Sequence, residues 1–249
     1  QMKYITFTTS GSVKFCENFL ISTRNVGVEE NVIVYCLDKE SFDVIQNKYK
    51  CETRLFDSGI EGIFHEYGKS GFRKITETKI QVILNALQEY NSLVYTDSDV
   101  VFLKDPTDLI LEAENIVRDD YDIDIFFATD EPFMEICTGF MYIKNTKPVH
   151  ALFKKYFQLS KLFGIQNSAH MYDQEIIHQI LKENLLEEKL LWGVYPSTFV
   201  KNGHLYWNEA EKRTGSESVV HVNFTIGEVG KINRLKEANL WYVEEEVMS

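Results

Sequence analysis

Cysteine is scarce in this chain: Cys16, Cys36, Cys51 and Cys137 are the four among 249 residues. No two have C-x-x-C spacing, which excludes a zinc knuckle and a thioredoxin-type pair. Cys36 lies in the apolar run NVIVYCLD and reads as a small buried hydrophobe, so free thiols in a reducing compartment are expected. No apolar run reaches the ~20 residues of a membrane-spanning helix, and no signal peptide is read ahead of the first strand. Positive charge is also in short supply, with 26 Lys and Arg against 38 Asp and Glu and a net charge of −12. A broad nucleic-acid surface needs clustered Lys and Arg to replace phosphate counterions, so that class is excluded. An anionic small molecule is not, because a metal ion or a few lysines can hold one phosphate group on an acidic protein. Internal repeats, low-complexity linkers and composition shifts are missing too, and the chain reads as one domain over 1–249.

What is present is ample core. Hydrophobic residues make up 44% and aromatics 13%, enough to bury a large interior. KYITFTT (3–9), NVIVYCLD (31–38) and CETRLFD (51–57) have strand composition. VKFCENFLISTRN, with Ser10 or Ser12 as its cap, and KESFDVIQNKY have helical spacing. This β-α-β-α-β rhythm predicts an α/β fold with a mostly parallel central sheet flanked by helices. A helix over 75–90 follows, with an inward stripe of Ile75, Ile80, Ile83, Leu84 and Leu87. Further strands are expected at the segment ending with Asp97, at 122–129 and at 138–145. Helices are expected at PVHALFKKYFQLSKLF and QEIIHQILKENL, and short late strands at LLWGVYPSTFV and SVVHVNF.

The segment LVYTDSDVVFL (93–103) is anomalous. An apolar run enters and another leaves, yet Asp97, Ser98 and Asp99 interrupt them. Asp and Ser are turn formers, but apolar flanks suit a solvated turn poorly. In open parallel sheets ligands bind at the carboxyl ends of strands. Two carboxylates converging there would repel and raise one pKa unless a cation lay between them. Oxygen ligands suit Mn²⁺ or Mg²⁺, either of which keeps positions open for phosphate oxygens.

With its flanks, LVYTDSDVVFLKDP resembles the DxD region of GT-A glycosyltransferases, in particular the nucleotide-diphospho-sugar transferase group that includes plant cell-wall and algal-virus enzymes. The resemblance implies a nucleotide-sugar donor, expected to be UDP-linked, and a metal held by Asp97 and Asp99. It implies contact of Thr8 and Thr9 with base and ribose, although a β-branched strand end reads equally well. Ser98 would contact the donor as well. Lys79 would be the basic residue near nucleotide or sugar, with Arg73 and Lys74 as rivals and a solvated helix Lys as the plain reading. CTGFMYIKN resembles the family's Asn-x-Gly strand, with Gly139 allowing close backbone approach and Cys137 standing where many relatives have Asn. YDQEIIHQIL resembles the Asp-Gln pair that lines the donor-sugar pocket, here Asp173 and Gln174; Asp173 is also a candidate helix cap. HVNFTIGEVGK resembles the family's His, Gly and Lys. It implies His221 as third metal ligand, Gly227 close to the diphosphate and Lys231 on its charge.

In this reading Asp173, Gln174 and Asp130 are the candidates around the reacting carbon, and Asp130, in ATDEPF, reads equally as a turn residue. Relatives of this layout mostly retain the anomeric configuration, so retention to a glycan or other hydroxyl acceptor is expected. An inverting enzyme would need Asp130 or Asp173 as base. Loops 58–71 and 201–215 would build the acceptor groove, and Tyr206 and Trp207 could stack on a sugar or pack internally. The sequon Asn223-Phe224-Thr225 falls inside the expected site, where a glycan would block it, so the cytoplasm is the expected location. The resemblance to algal-virus enzymes admits a virus-encoded enzyme in a host cytoplasm. A non-catalytic nucleotide- or sugar-binding module on the same fold is the alternative, for which Cys137 is the hint.

Overall fold

The computed structural model describes residues 1–57, 71–114, 117–118, 121–165 and 171–244. Its elements in chain order are β1 (Tyr4–Thr8), α1 (Val13–Asn25), β2 (Val32–Cys36), α2 (Lys39–Lys48), β3 (Glu52–Leu55), α3 (Phe72–Ala86), β4 (Ser92–Thr96), β5 (Val100–Phe102) and α4 (Thr107–Glu114). There follow β6 (Val117–Arg118), β7 (Tyr121–Asp122), β8 (Ile125–Asp130), β9 (Met134–Lys144), α5 (Lys147–Ile165), α6 (Asp173–Lys182), β10 (Trp192–Val194), β11 (Val200–Lys201), β12 (Val219–His221) and α7 (Glu228–Glu237).

Seven strands form the central sheet in the order β10-β8-β9-β4-β1-β2-β3. The pairs β1–β2, β1–β4, β2–β3 and β8–β10 are parallel, and β9 runs antiparallel to both β4 and β8. The expected α/β class and mostly parallel sheet therefore hold, with one reversed strand that βαβ rhythm alone does not reveal. Both faces of the sheet are covered, which is why its strands are nearly continuous apolar runs. In β2, Val32, Val34 and Cys36 face α1 and α2, while Ile33 and Tyr35 face the α3, α5 and α6 side. The same alternation puts Val94 on the first face and Leu93 and Tyr95 on the second, as period-two geometry requires. All four cysteines are free and buried. Among the described residues no helix is long and apolar enough to cross a membrane.

Ser12 takes the cap position of α1, but its hydroxyl bonds the Thr9 N–H at 3.1 Å and meets the Thr8 hydroxyl at 3.1 Å instead of capping the helix. Asp38 caps α2 by accepting from the Ser41 N–H at 2.8 Å. The run after Asp99 leaves the main sheet altogether. β5 joins a second, three-stranded sheet in the order β11-β12-β5, antiparallel to β12.

A buried ion pair ties this small sheet to the loop beside it. Lys201 Nζ lies 2.7 Å from Glu217 Oε1, with both side chains no more than 3% exposed. Burial alone would raise the Glu217 pKa, but hydrogen bonds from Lys201 and the Thr214 N–H hold it at about 2. A depressed carboxylate stabilises the fold above its unfolded value and loses that contribution as the pH falls through the folded one. Denaturant titrations will show wild-type stability dropping between about pH 4.5 and 2. Glu217→Gln will flatten that slope and cost about 3 kcal/mol at neutral pH, by leaving the Lys201 ammonium buried and unpaired.

Candidate active site

Three chain segments meet at the end of β4. The backbone N–H of Asp97 donates to the Gly139 carbonyl at 2.8 Å, which joins the turn to β9. Beyond the turn, Val100 pairs with His221 across β5 and β12, and the Val222 N–H donates to the Asp99 carbonyl at 3.1 Å. Sheet register therefore brings His221 to the Asp-Ser-Asp turn. Gly139 makes the approach possible: a Cβ there would lie 2.3 Å from His221 Cε1, 2.6 Å from Nδ1 and 3.0 Å from Asp97 Oδ2. Gly139→Ala must push the imidazole away. The variant will keep the sheet, as read by circular dichroism, and lose any Mn²⁺-induced thermal shift that depends on Asp97, Asp99 and His221 lying together.

His221 Nε2 lies 3.1 Å from Asp99 Oδ1 and 3.8 Å from Asp97 Oδ2. One ligand atom from each of Asp97, Asp99 and His221 falls within 4.8 Å of the others. Ligands at the ~2.1 Å bonds of octahedral Mg²⁺ sit about 3 to 4 Å apart, so the spacings fit such an ion. The donor set fits as well: two carboxylates and one imidazole suit Mn²⁺ or Mg²⁺. Lys231 reaches the other oxygen of Asp99. Burial pushes the Asp99 carboxyl up, but Lys231 and His221 overcome that and hold it well below the usual carboxylate range. Burial disfavours the His221 imidazolium, and Asp99 raises its pKa well above the ordinary value nonetheless.

Lys79 turns inward from α3, 6% exposed. Its ammonium lies 2.8 Å from Asp173 Oδ2 and 3.0 Å from Asp97 Oδ1. Desolvation would lower its pKa, yet the two carboxylates raise it above the normal lysine value. The same Asp173 oxygen accepts from the Thr138 hydroxyl at 2.7 Å. Gln174 accepts from the Thr138 N–H at 3.3 Å and donates to Asp130 Oδ2 at 2.8 Å. Asn223 Nδ2 donates to Asp130 Oδ1 at 3.1 Å. Burial raises the Asp130 pKa against the pull of these two amides. The result is one connected polar floor running from Lys231 to Asn223 along the carboxyl edge of the sheet.

The chain matches the nucleotide-diphospho-sugar transferase family over residues 27–235. It belongs to that family. Two curated relatives are a UDP-galactose:fucoside alpha-3-galactosyltransferase of Dictyostelium discoideum, 24% identical over 86% of this chain and 39% of the relative, and a UDP-D-xylose:L-fucose alpha-1,3-D-xylosyltransferase of Arabidopsis thaliana, 23% identical over 94% and 64%. The chain thus spans between about two-fifths and two-thirds of the length of these two. The fold is that of the galactosyltransferase LgtC, solved with donor and acceptor sugar analogues: TM-score 0.63 at 12% identity, covering 98% of both chains. This is the GT-A fold.

Within this transferase-family fold the remaining expected residues fall as follows. Ser98 is half-buried in the turn. Gly227 has φ +79° and is the cap residue of α7, so Lys231 stands in the first turn of a helix, not in a loop. Thr8 and Thr9 end β1 on the same edge of the sheet, but their hydroxyls are engaged with Ser12 and buried. Of the three basic rivals, Lys79 is the one on Asp97; the Arg73 guanidinium instead donates to the Ser160 carbonyl at 3.3 Å. Asp130 is the last residue of β8 and its carboxylate joins the polar floor. Asp173 is the first residue of α6, and Tyr172 takes the cap position. Tyr206 and Trp207 pack on α7, where the indole donates to the Arg234 carbonyl at 2.9 Å. The expected acceptor loop 58–71 lies, except for Gly71, outside the described residues.

Sequence reasoning missed Tyr95, whose hydroxyl donates to Asp97 Oδ1 at 2.7 Å. Its signal was there, two residues before Asp97 on one strand face. It also missed Thr138, and it weighed Asn223 only as a sequon. Cys137 does not face solvent. Its sulfur lies 3.7 Å from His221 Nδ1 and accepts from the Gly139 N–H at 3.4 Å.

Proposed function

We propose that this family member transfers a sugar from a UDP-linked donor to a hydroxyl of a fucose-bearing acceptor, with divalent metal and with retention. The observation that carries the metal-dependent donor site is the Asp97, Asp99 and His221 set, with Lys231 on Asp99 beside it. Both sequence relatives are named for UDP sugars and fucose acceptors, and for alpha products. UDP-galactose and UDP-xylose carry their sugars α-linked, so an alpha product means retention.

Mn²⁺ or Mg²⁺, held by Asp97, Asp99 and His221, would supply Lewis acidity toward the departing diphosphate. Lys231 adds a compact positive charge at the same place, where negative charge grows as the glycosidic bond breaks. Lys79 fixes Asp97 and Asp173 relative to each other, so the ligand turn and the sugar-pocket carboxylate keep one geometry. Asp173 and Gln174 offer oxygens to an oxocarbenium-like sugar. Asp130, held by two amides, stands ready for the acceptor hydroxyl. Cys137, the hint for a non-catalytic module, packs its sulfur 3.7 Å from His221 Nδ1 and is not one of the three proposed ligands, so the donor site does not depend on an Asn at that position.

Thermal shift with a panel of nucleoside diphosphates, with and without Mn²⁺, tests this. UDP will raise the melting temperature only when Mn²⁺ is present; no shift with any nucleotide sinks the donor site. Cys137 adds a finer prediction. A metal-binding histidine is oriented by the acceptor on its far nitrogen, and loss of that partner costs about 10- to 100-fold in metal affinity. Cys137→Ala will weaken Mn²⁺ binding by about tenfold in an electron paramagnetic resonance titration, and Cys137→Ser will recover most of it.

A further inference from the structure

Two large aromatic rings stand in solvent beside the polar floor. Phe133 is 62% exposed and Phe224 is 43% exposed. Their ring centroids are 5.0 Å apart with planes tilted by 37°. The His204 ring meets Phe133 edge-on at 4.9 Å, and its Nε2 is held 2.9 Å from Glu209. Exposed apolar groups gathered at one place mark an interaction site more often than scattered ones do.

The rings are anchored to the site itself. The Phe133 N–H donates to the Asp130 carbonyl at 3.1 Å. Asn223, next to Phe224, donates to the Asp130 carboxylate and accepts from the Gly203 N–H at 2.7 Å. Asn202 donates to the Glu131 carbonyl at 2.7 Å. Phe224 has φ +57°, a left-handed conformation that a bulky side chain adopts only when its surroundings enforce it. Backbone of this kind gathers at ligand clamps. Here it keeps an aromatic ring out of the core and beside Asp130.

We infer that Phe133 and Phe224, backed by His204, form the acceptor subsite and receive the apolar face of a 6-deoxyhexose. This rests on the transferase reading above. Two rings match one pyranose, whereas a stable protein interface needs roughly 800 Å² from each partner. Sugars stack their C–H faces on aromatic rings, and a 6-deoxy sugar presents a methyl group where other hexoses carry a hydroxymethyl group. Fucose, the acceptor named for both sequence relatives, is such a sugar. With the sugar seated, its ring hydroxyls face Asp130 and the donor pocket.

The test measures transfer from UDP-galactose and UDP-xylose to methyl α-L-fucoside and to methyl α-L-galactoside, which differ only by the 6-hydroxyl. Wild type will favour the fucoside by about tenfold in KM, the scale of one small group in an apolar site. Phe133→Ala/Phe224→Ala will raise the fucoside KM at least about tenfold and erase the preference. Its Mn²⁺-dependent UDP shift will stay at the wild-type value, and Phe133→Tyr will keep the wild-type KM. An unchanged fucoside KM in the double variant overturns the subsite. Wild type that binds UDP with Mn²⁺ but transfers to neither glycoside also overturns it, and leaves the donor site standing. No UDP binding in wild type brings down the transferase reading and the subsite together.

Discussion

Asp99→Ala will, on the proposed reading of the site, abolish metal-dependent UDP binding and lower transfer by about a thousandfold or more, the scale at which one principal electrostatic stabiliser acts. Asp99 has two oxygens with different partners. One faces His221 at 3.1 Å and the other faces Lys231. Truncation would remove one of the three proposed metal ligands and would also leave the Lys231 ammonium unpaired beside the ion's position. Both effects oppose a divalent ion. The main sheet will survive, because Asp99 lies in the turn between β4 and β5 and not in either strand. Titration of the variant with Mn²⁺ should show affinity weaker by more than about a hundredfold. Wild-type UDP shift in the presence of Mn²⁺ would remove Asp99 from the ligand set.

Lys79→Met will damage stability as much as activity. Its ammonium is the bridge between Asp97 and Asp173, whose side chains are 26% and 7% exposed. Removing one partner of a buried ionic cluster costs about 3 to 5 kcal/mol, because the remaining charge is left unpaired. Asp97 retains water and the Tyr95 hydroxyl, so most of that cost falls on Asp173. The double change Lys79→Met/Asp173→Asn will therefore recover a large part of the stability lost in the single variant. It will not recover transfer. Guanidinium unfolding of the two single variants and the pair gives the coupling directly. Strictly additive losses would show that the bridge is not what holds these residues.

Much of this site was legible along the chain because polar residues stood where the local pattern demanded apolar ones. Asp97 and Asp99 interrupt a buried run, and Gly139 interrupts another. β9 was read four residues short at its start, since Met134–Cys137 has no alternation to announce it. α7 was not expected: its sequence EVGKINRLKE carries an internal Gly230, and of its apolar residues Leu235 is the buried one while Val229 is 71% exposed. The departure of β5 into a second sheet was invisible, because VVF is as apolar as the run before the Asp-Ser-Asp turn and nothing in it marks a change of sheet. Cys137, Tyr95 and Asn223 matter through partners on other strands, and a single sequence lists neighbours along the chain, not across it.

The ligand set spans the chain in an uneven way. Every strand of the seven-stranded sheet is complete by Val194, yet His221 and Lys231 lie 122 and 132 residues after Asp99. They arrive on β12, whose Val219 packs in the main core, and on α7, which touches the body through a modest apolar cluster. Contacts so distant in sequence close late when a chain folds. Small peripheral units are also the first to open in a native protein. Folding of the sheet and competence of the site are therefore two separate events, and the second can be lost while the first persists. On warming, amide exchange will spread from the 228–237 segment before the central strands respond, and donor binding through Lys231 will fade on that earlier schedule.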